Sequence, residues 1–475
     1  MKKLFIFLTV SALALSSYAT HLMGGEITAK QMHDSTYKIT LTTYRDTLGI
    51  PMDSVANFTV KDVNGITVMT FSIPYDTAIS GNTLRLYPYG VEVYIFEDTI
   101  KLPGAGTFHI SFTDCCRNGA IQNLSAPLNE NMYLTTTVTH FSSTNNSTPF
   151  FLVQPVIFLP VNTVWSYNPL PFDIDGDSLV WQLDTPLTAY NQNCGGYSTP
   201  PSATSGPFTL NSANGSINWT ANQIGNFDAT VLVEEYRNGV KIGEIRRDMQ
   251  FIVVNPTSQM AFMTNMNEVP KDSLGNYHVQ LFANSKYLFS FLAEDPDVGD
   301  DVSILAFGEP FMFNQANRAW FYTIKTGKTY GNEVEGTLIW KPTAELVREK
   351  PYIIAYRVSD GTYTNDYTVM YTVNGEKQHL PTGIEEFSVE RMVAVYPNPT
   401  NGSDLTISIN ADIDRDASIE IYDVSGILKH EIARKSYKRG DEIQLSHLNL
   451  NSGSYILVMK SGTQLSDYTR FVVIQ

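Results

Sequence analysis

Three landmarks in the middle of the chain recur at nearly constant spacing, and this internal repeat constrains the fold more than any other feature. Asp173-Ile174-Asp175-Gly176-Asp177 answers to Asp295-Pro296-Asp297-Val298-Gly299-Asp300-Asp301. Gly215-Ser216-Ile217-Asn218-Trp219 answers to Gly336-Thr337-Leu338-Ile339-Trp340, and Tyr236-Arg237-Asn238-Gly239 to Tyr356-Arg357-Val358-Ser359-Asp360-Gly361. The first Asp lies 46 positions before the Trp in one copy and 45 in the other; the closing Gly follows the Trp by 20 and then 21. Each copy is a supersecondary unit of about 110 residues filled with strand signals. The predicted boundaries are 149–256 and 257–375.

This order of landmarks, an acidic loop, then Gly-x-[Ile/Leu]-x-Trp, then a strand ending in a Gly turn, resembles bacterial cadherin-like and immunoglobulin-like repeats. The resemblance implies two β-sandwiches with Trp219 and Trp340 as core plugs between sheets. Residues 20–148 read the same way at the level of strands. Tyr37 to Thr42, Val91 to Phe96 and Phe108 to Phe112 alternate with period two, separated by turns such as Val63-Asn64-Gly65. A composition of 43% apolar and 12% aromatic residues, rich in Tyr and Phe, suits half-buried pleated surfaces. The expected fold class is all-β: a string of antiparallel immunoglobulin- or cadherin-like sandwiches closed by a smaller C-terminal one.

Both ends carry targeting signals. Lys2 and Lys3, the apolar run Leu4 to Leu15 and the small residues around Ser17-Tyr18-Ala19 read as a secretory signal peptide over residues 1–19. After a polar linker at 376–390, Tyr396-Pro397-Asn398-Pro399, Tyr422-Asp423-Val424-Ser425-Gly426 and Gly453-Ser454-Tyr455 follow in order. Residues 391–475 with these motifs resemble the type A C-terminal sorting domain of type IX secretion. That resemblance implies delivery through the type IX machinery to the cell surface or beyond, where the tail is removed and cargo can be attached to lipopolysaccharide. In its own right the segment reads as about seven strands with Pro-Asn-Pro and Ser-Gly turns. At the front, His21-Leu22-Met23-Gly24-Gly25-Glu26-Ile27, Thr43-Tyr44-Arg45-Asp46, Cys115-Cys116-Arg117-Asn118-Gly119 and Asn145-Asn146-Ser147 resemble gliding-motility-associated surface ectodomains. Thr47 stands where that family places a Cys, which breaks its disulfide pattern here.

The formal charge of −16 sits almost entirely between the signal and the tail, an acidic body that disfavours nucleic acid. Alternating carboxylates in a Gly-containing loop can converge on Ca²⁺, which takes six to eight oxygens. The expected ligands are Asp173, Asp175 and Asp177 in the first loop and Asp295, Asp297 and Asp301 in the second, with Asp300 nearby. Glu234-Glu235 can add a carboxylate, although no spacing rule fixes it. The bland reading of both loops is a solvated turn in which each Asp bonds nearby amides. Cys115, Cys116 and Cys194 admit a vicinal bridge, a bridge from either to Cys194, or three thiols. No nucleophile elbow or zinc-protease helix occurs, so the expectation is a non-catalytic surface protein, in adhesion, structure or motility-related contact, with an unknown glycan or protein ligand. The competing expectation is a secreted carbohydrate-binding or carbohydrate-acting protein with accessory repeats. No stretch after the signal is apolar enough to span a bilayer as a helix.

Overall fold

The computed structural model describes residues 22–474 apart from 48, 79, 81, 86–89, 156–157, 298, 327–331, 376–391, 411, 424–426 and 462–463. The expected signal peptide and the linker at 376–390 lie outside the described residues. Among the described residues the regular structure is β-strand, with four single 3₁₀ turns and no α-helix. The chain divides into two compact units, 1–257 and 258–475.

The front unit departs from expectation in one respect. The boundary predicted at 148/149 does not separate two sheets, because strand Val240–Val254 belongs to both halves. Along one edge it pairs antiparallel with Gly225–Arg237 from its own repeat. Along the other it pairs with Met132–His140 and then with Leu22–His33. The result is a 12-stranded sheet. The second half of strand Val240–Val254 need not alternate in polarity, because it is covered on both faces: Asp248 to Val253 are all buried. Period-two patterning identifies a strand but not its partner, which is why the join was invisible locally. Charge pairs reinforce it. Arg117 donates to Asp228 (2.5 Å) and to Asp248 (2.7 Å), and Arg247 donates to Glu26 (2.6 Å), all of them buried. Removing one member of such a group would leave an uncompensated buried charge.

Strands from residues 22–140 curl around one core containing Ile27, Tyr37, Phe58, Phe96, Ile110 and Leu134. The first repeat adds a small sheet in which Ile217–Trp219 pairs with Trp165–Tyr167. There Trp219 meets Trp165, Phe208, Phe227 and Phe251 edge-on at 5.3–6.4 Å, an arrangement favoured by the ring quadrupoles. Its indole N–H donates to the Pro201 carbonyl.

In the second unit the repeat is a sandwich of two four-stranded sheets. Strand Glu333–Trp340 ends in the corresponding tryptophan, which packs against Tyr352 and Tyr371 and donates to the Asn317 carbonyl at 2.9 Å. The tail forms a three-stranded and a four-stranded sheet around a cluster drawn wholly from residues 393–473, including Ile407, Ile419, Leu457 and Phe471. It therefore has a core of its own.

Truncating either tryptophan removes one of the largest buried side chains of its sandwich. Trp219→Ala and Trp340→Ala are each expected to cost about 3–5 kcal/mol. Denaturant titration of the mature chain checks this; a loss below about 1 kcal/mol for either variant contradicts its role as a core plug.

Candidate metal centre and the sorting tail

The acidic loop of the first repeat runs from strand Pro171–Phe172 into strand Ser178–Asp184. Asp173 turns it: one carboxylate oxygen accepts the amides of Asp175 (3.0 Å) and Asp177 (2.9 Å). Gly176 takes φ +86°, a left-handed conformation that costs glycine little. Facing this loop is Glu235, on strand Gly225–Arg237, which pairs with Ser178–Asp184 through Leu179. Asp173, Asp177 and Glu235 each offer an oxygen, and these oxygens lie within 4.8 Å of one another. Glu235 is 0% exposed and neither of its oxygens has a hydrogen-bond partner; the second oxygen of Asp173 is likewise buried and unpartnered. Directly across the strand pair is Gly243, where a β-carbon would stand 2.3 Å from the Glu235 carboxylate. The missing side chain there makes room for the acid.

The electrostatics follow from this crowding. Burial first, then the Asp173 and Asp177 carboxylates, push Glu235 up to about 10, against the opposing pull of Arg237. Burial pushes Asp173 up to about 6, with Asp177 and Asp175 adding to the rise while amide bonds oppose it. Buried carboxyls crowded in this way, Glu235 and Asp173, keep their protons more readily unless a cation replaces them. Arg237 grips Asp177 and also donates to the Asn145 carbonyl and the Asn146 side chain, each at 2.9 Å. The Ser147 amide donates to Asp175 (2.6 Å), while Ser147 and Thr148 accept from the amides of Gln31 and Ala29. The acidic loop is thus bonded into the seam between residues 141–148 and strand Leu22–His33.

Of the expected first-loop ligands the structure brings Asp173 and Asp177 together and leaves Asp175 out, spent on the Ser147 amide. The third carboxylate is Glu235. Its neighbour Glu234 points elsewhere and pairs with Lys241. In the second repeat Asp295, Asp297 and Asp300 gather, with Asp295 buried and pushed up to about 6 by burial and then by Asp360. Asp301 does not join them; it is exposed and pairs with Lys325. Asp297 already accepts the Gln259 amide. Ala355 occupies the position corresponding to Glu235, counted from the shared Tyr-Arg, so the second loop lacks that wall. The oxygen donors of the first loop fit a hard divalent cation such as Ca²⁺, with remaining positions left to backbone oxygens and water.

Cys115 and Cys116 are bonded to each other, and Cys194 is a buried thiol, which selects one of the open pairings. His140 and His109 are engaged with Tyr37 and Thr137 respectively.

In the tail, the motif residues fasten the final strand. The Asn398 side chain accepts from the Val472 amide (2.9 Å) and donates to the Arg470 carbonyl (3.1 Å), in place of a strand neighbour. The Thr400 amide donates to Val472, and the Ile474 amide donates back to Thr400. Tyr455 stacks on Phe471 with centroids 5.6 Å apart and donates to the Asn451 carbonyl.

No curated protein matches the chain. Solved structures that align with it do so loosely. The endo-fucoidan hydrolase MfFcnA4 of glycoside hydrolase family 107 aligns over 72% of this chain at 12% identity, with a TM-score of 0.15, and the chain spans 42% of that enzyme's length. The FN1–FN3 domains of chicken CNTN1 align over 69% of this chain and 98% of their own, at 9% identity and TM-score 0.15. An ectodomain fragment of ICAM-5 covering D1–D4 aligns over 93% and 96%, at 12% identity and TM-score 0.16. Superpositions this poor transfer neither ligand nor activity. No helix among the described residues is long and apolar enough to cross a membrane. One match is specific: residues 394–475 match the family described as the secretion system C-terminal sorting domain, the sorting tail of type IX secretion, and the chain that carries it is exported to the cell surface or the extracellular space.

Proposed function

We propose that this is a non-catalytic cell-surface protein, acting in adhesion, surface structure or motility-related contact, whose front unit is stiffened by calcium. The observation that carries the calcium part is Glu235, fully buried with both carboxylate oxygens unpartnered, against Asp173 and Asp177. Those three residues would hold the ion, which would supply the positive charge that lets Glu235 and Asp173 ionise beside Asp177. Arg237 fixes the position of Asp177 and joins the site to Asn145 and Asn146. A filled site would therefore tighten the seam through which residues 141–148 and strand Leu22–His33 meet the first repeat.

A surface-contact role is supported by the sorting tail and by a body made of closed β-units that bury their own cores. Cells lacking this protein are expected to lose attachment to glycan-coated or cell-coated surfaces, with restoration by the wild-type gene in calcium and poor restoration in a calcium chelator. Normal attachment together with polysaccharide-cleaving activity in the purified mature protein would overturn the proposal in favour of the carbohydrate-acting reading.

A further inference from the structure

A second feature of the front unit shares no residue with the acidic loop. The sheet formed by strands Gly106–Asp114 and Met132–His140 buries Phe108, Ile110, Phe112, Leu134 and Val138 in the core on one face. The opposite face carries His109, Ser111, Tyr133, Thr135 and Thr137, with Glu244 and Arg246 continuing it on strand Val240–Val254. An outer sheet face of this polarity ordinarily meets solvent. Here Ser111, Tyr133, Thr135 and Thr137 are each under a tenth exposed. The hairpin of Leu187–Ala189 and Gln192–Asn193 helps roof them, leaving a cavity of about 350 Å³.

We infer that this roofed cavity is a binding site for an uncharged saccharide. Its floor includes the hydroxyls of Thr135, which donates to the Ile110 carbonyl, and of Tyr133, which is left over. The Tyr133 hydroxyl is buried and has no partner at good hydrogen-bond geometry. A buried phenol without a hydrogen bond carries a desolvation penalty that a ligand hydroxyl removes. The Tyr190 ring stands at the wall, edge-on to His109 at 5.5 Å, and exposed Asn191 and Asn193 supply amides beside it.

The charges argue for a neutral ligand. Glu244 is paired with Lys241 at 2.8 Å and Arg246 with Asp184 at 2.6 Å, so neither presents an uncompensated charge. Burial lowers the pKa of the His109 imidazole, which keeps it neutral near pH 7. Leu187 is the one aliphatic side chain of the lining, which leaves no apolar slot for a flat heterocycle or a lipid tail. Hydroxyl donors and acceptors, amides, one aromatic edge and balanced charge together fit a polyhydroxylated ring. The volume lies at the small end of the range for ligand pockets, enough for the terminal one or two sugars of a glycan.

The test uses the full mature chain and the methyl glycosides of glucose, galactose, N-acetylglucosamine and fucose at millimolar concentration, read by saturation-transfer difference NMR. At least one is expected to receive saturation. Tyr133→Phe removes only the hydroxyl and is expected to weaken that sugar about tenfold, while near-ultraviolet circular dichroism stays unchanged. Tyr190→Ala, a substitution in the roof and not in the core, is expected to weaken it as well. Absence of transfer to all four glycosides overturns the inference, as does wild-type affinity in both variants. Either result leaves the calcium proposal untouched, because calcium is read separately by melting.

Discussion

Calcium in hundredfold excess over its dissociation constant is expected to stabilise the front unit by about 2.7 kcal/mol, which corresponds to roughly 5–10 °C in melting temperature for a unit of this size. Glu235→Gln should remove that response and, in chelator, should raise stability near pH 8. The two effects have opposite signs for one physical reason. In the unfolded chain Glu235 ionises near 4.5, whereas in the folded, metal-free chain it is pushed up to about 10. Between those values the unfolded state has released a proton that the folded state keeps. Folding stability is therefore fully present below the lower value and falls as pH rises toward the upper one, by about 1.4 kcal/mol per pH unit. Asp173 adds the same trend over the narrower window from 3.8 to about 6. Glutamine has no proton to release, so the variant escapes this loss. Calcium binding must displace the protons, so wild-type affinity should climb between pH 6 and pH 8. Differential scanning calorimetry of wild type and variant, each with calcium and with chelator, gives all the readings. No wild-type shift with calcium, or a variant less stable than wild type in chelator at pH 8, would contradict the site.

The second large effect concerns delivery. Deleting residues 394–475 should shift the protein from surface-accessible to periplasmic, an all-or-none change measurable by protease treatment of intact cells and fractionation. The tail's hydrophobic cluster is drawn wholly from residues 393–473, and the preceding repeat has two sheets of its own. Loss of export would therefore report the missing address rather than a collapsed body, and the calorimetric transition of the front unit serves as the control. Surface exposure that survives the deletion would refute the assignment.

Much of this architecture was legible in the sequence. Strands announce themselves by alternation, and the paired Gly-x-[Ile/Leu]-x-Trp landmarks marked two core tryptophans that are indeed buried. The tail was readable because its motif residues carry fixed local duties, as the two hydrogen bonds of Asn398 to the last strand illustrate. What the sequence concealed is what depends on partners distant along the chain. The sequence offered Glu234-Glu235 as a pair with no rule to choose between them; Glu235 sits on a strand 58 positions or more from the loop it faces, and the register Leu179↔Glu235 is what selects it. Asp175 and Asp301 looked like ligands because runs of Asp say nothing about which way each carboxylate turns; the Ser147 amide and Lys325 decided that. The expected division at 148/149 failed for the same reason, since no local pattern reveals that one strand serves two sequence segments.

That shared strand bears on how the protein comes into being. Arg247 must find Glu26 across 221 positions of chain, so the first-synthesised strands stay without their central neighbour until almost the whole front half exists. Contacts of such long range make for slow folding. An emerging fragment would keep unpaired edges that are prone to self-association, and half-length products should be degraded or aggregate instead of persisting as a smaller stable species.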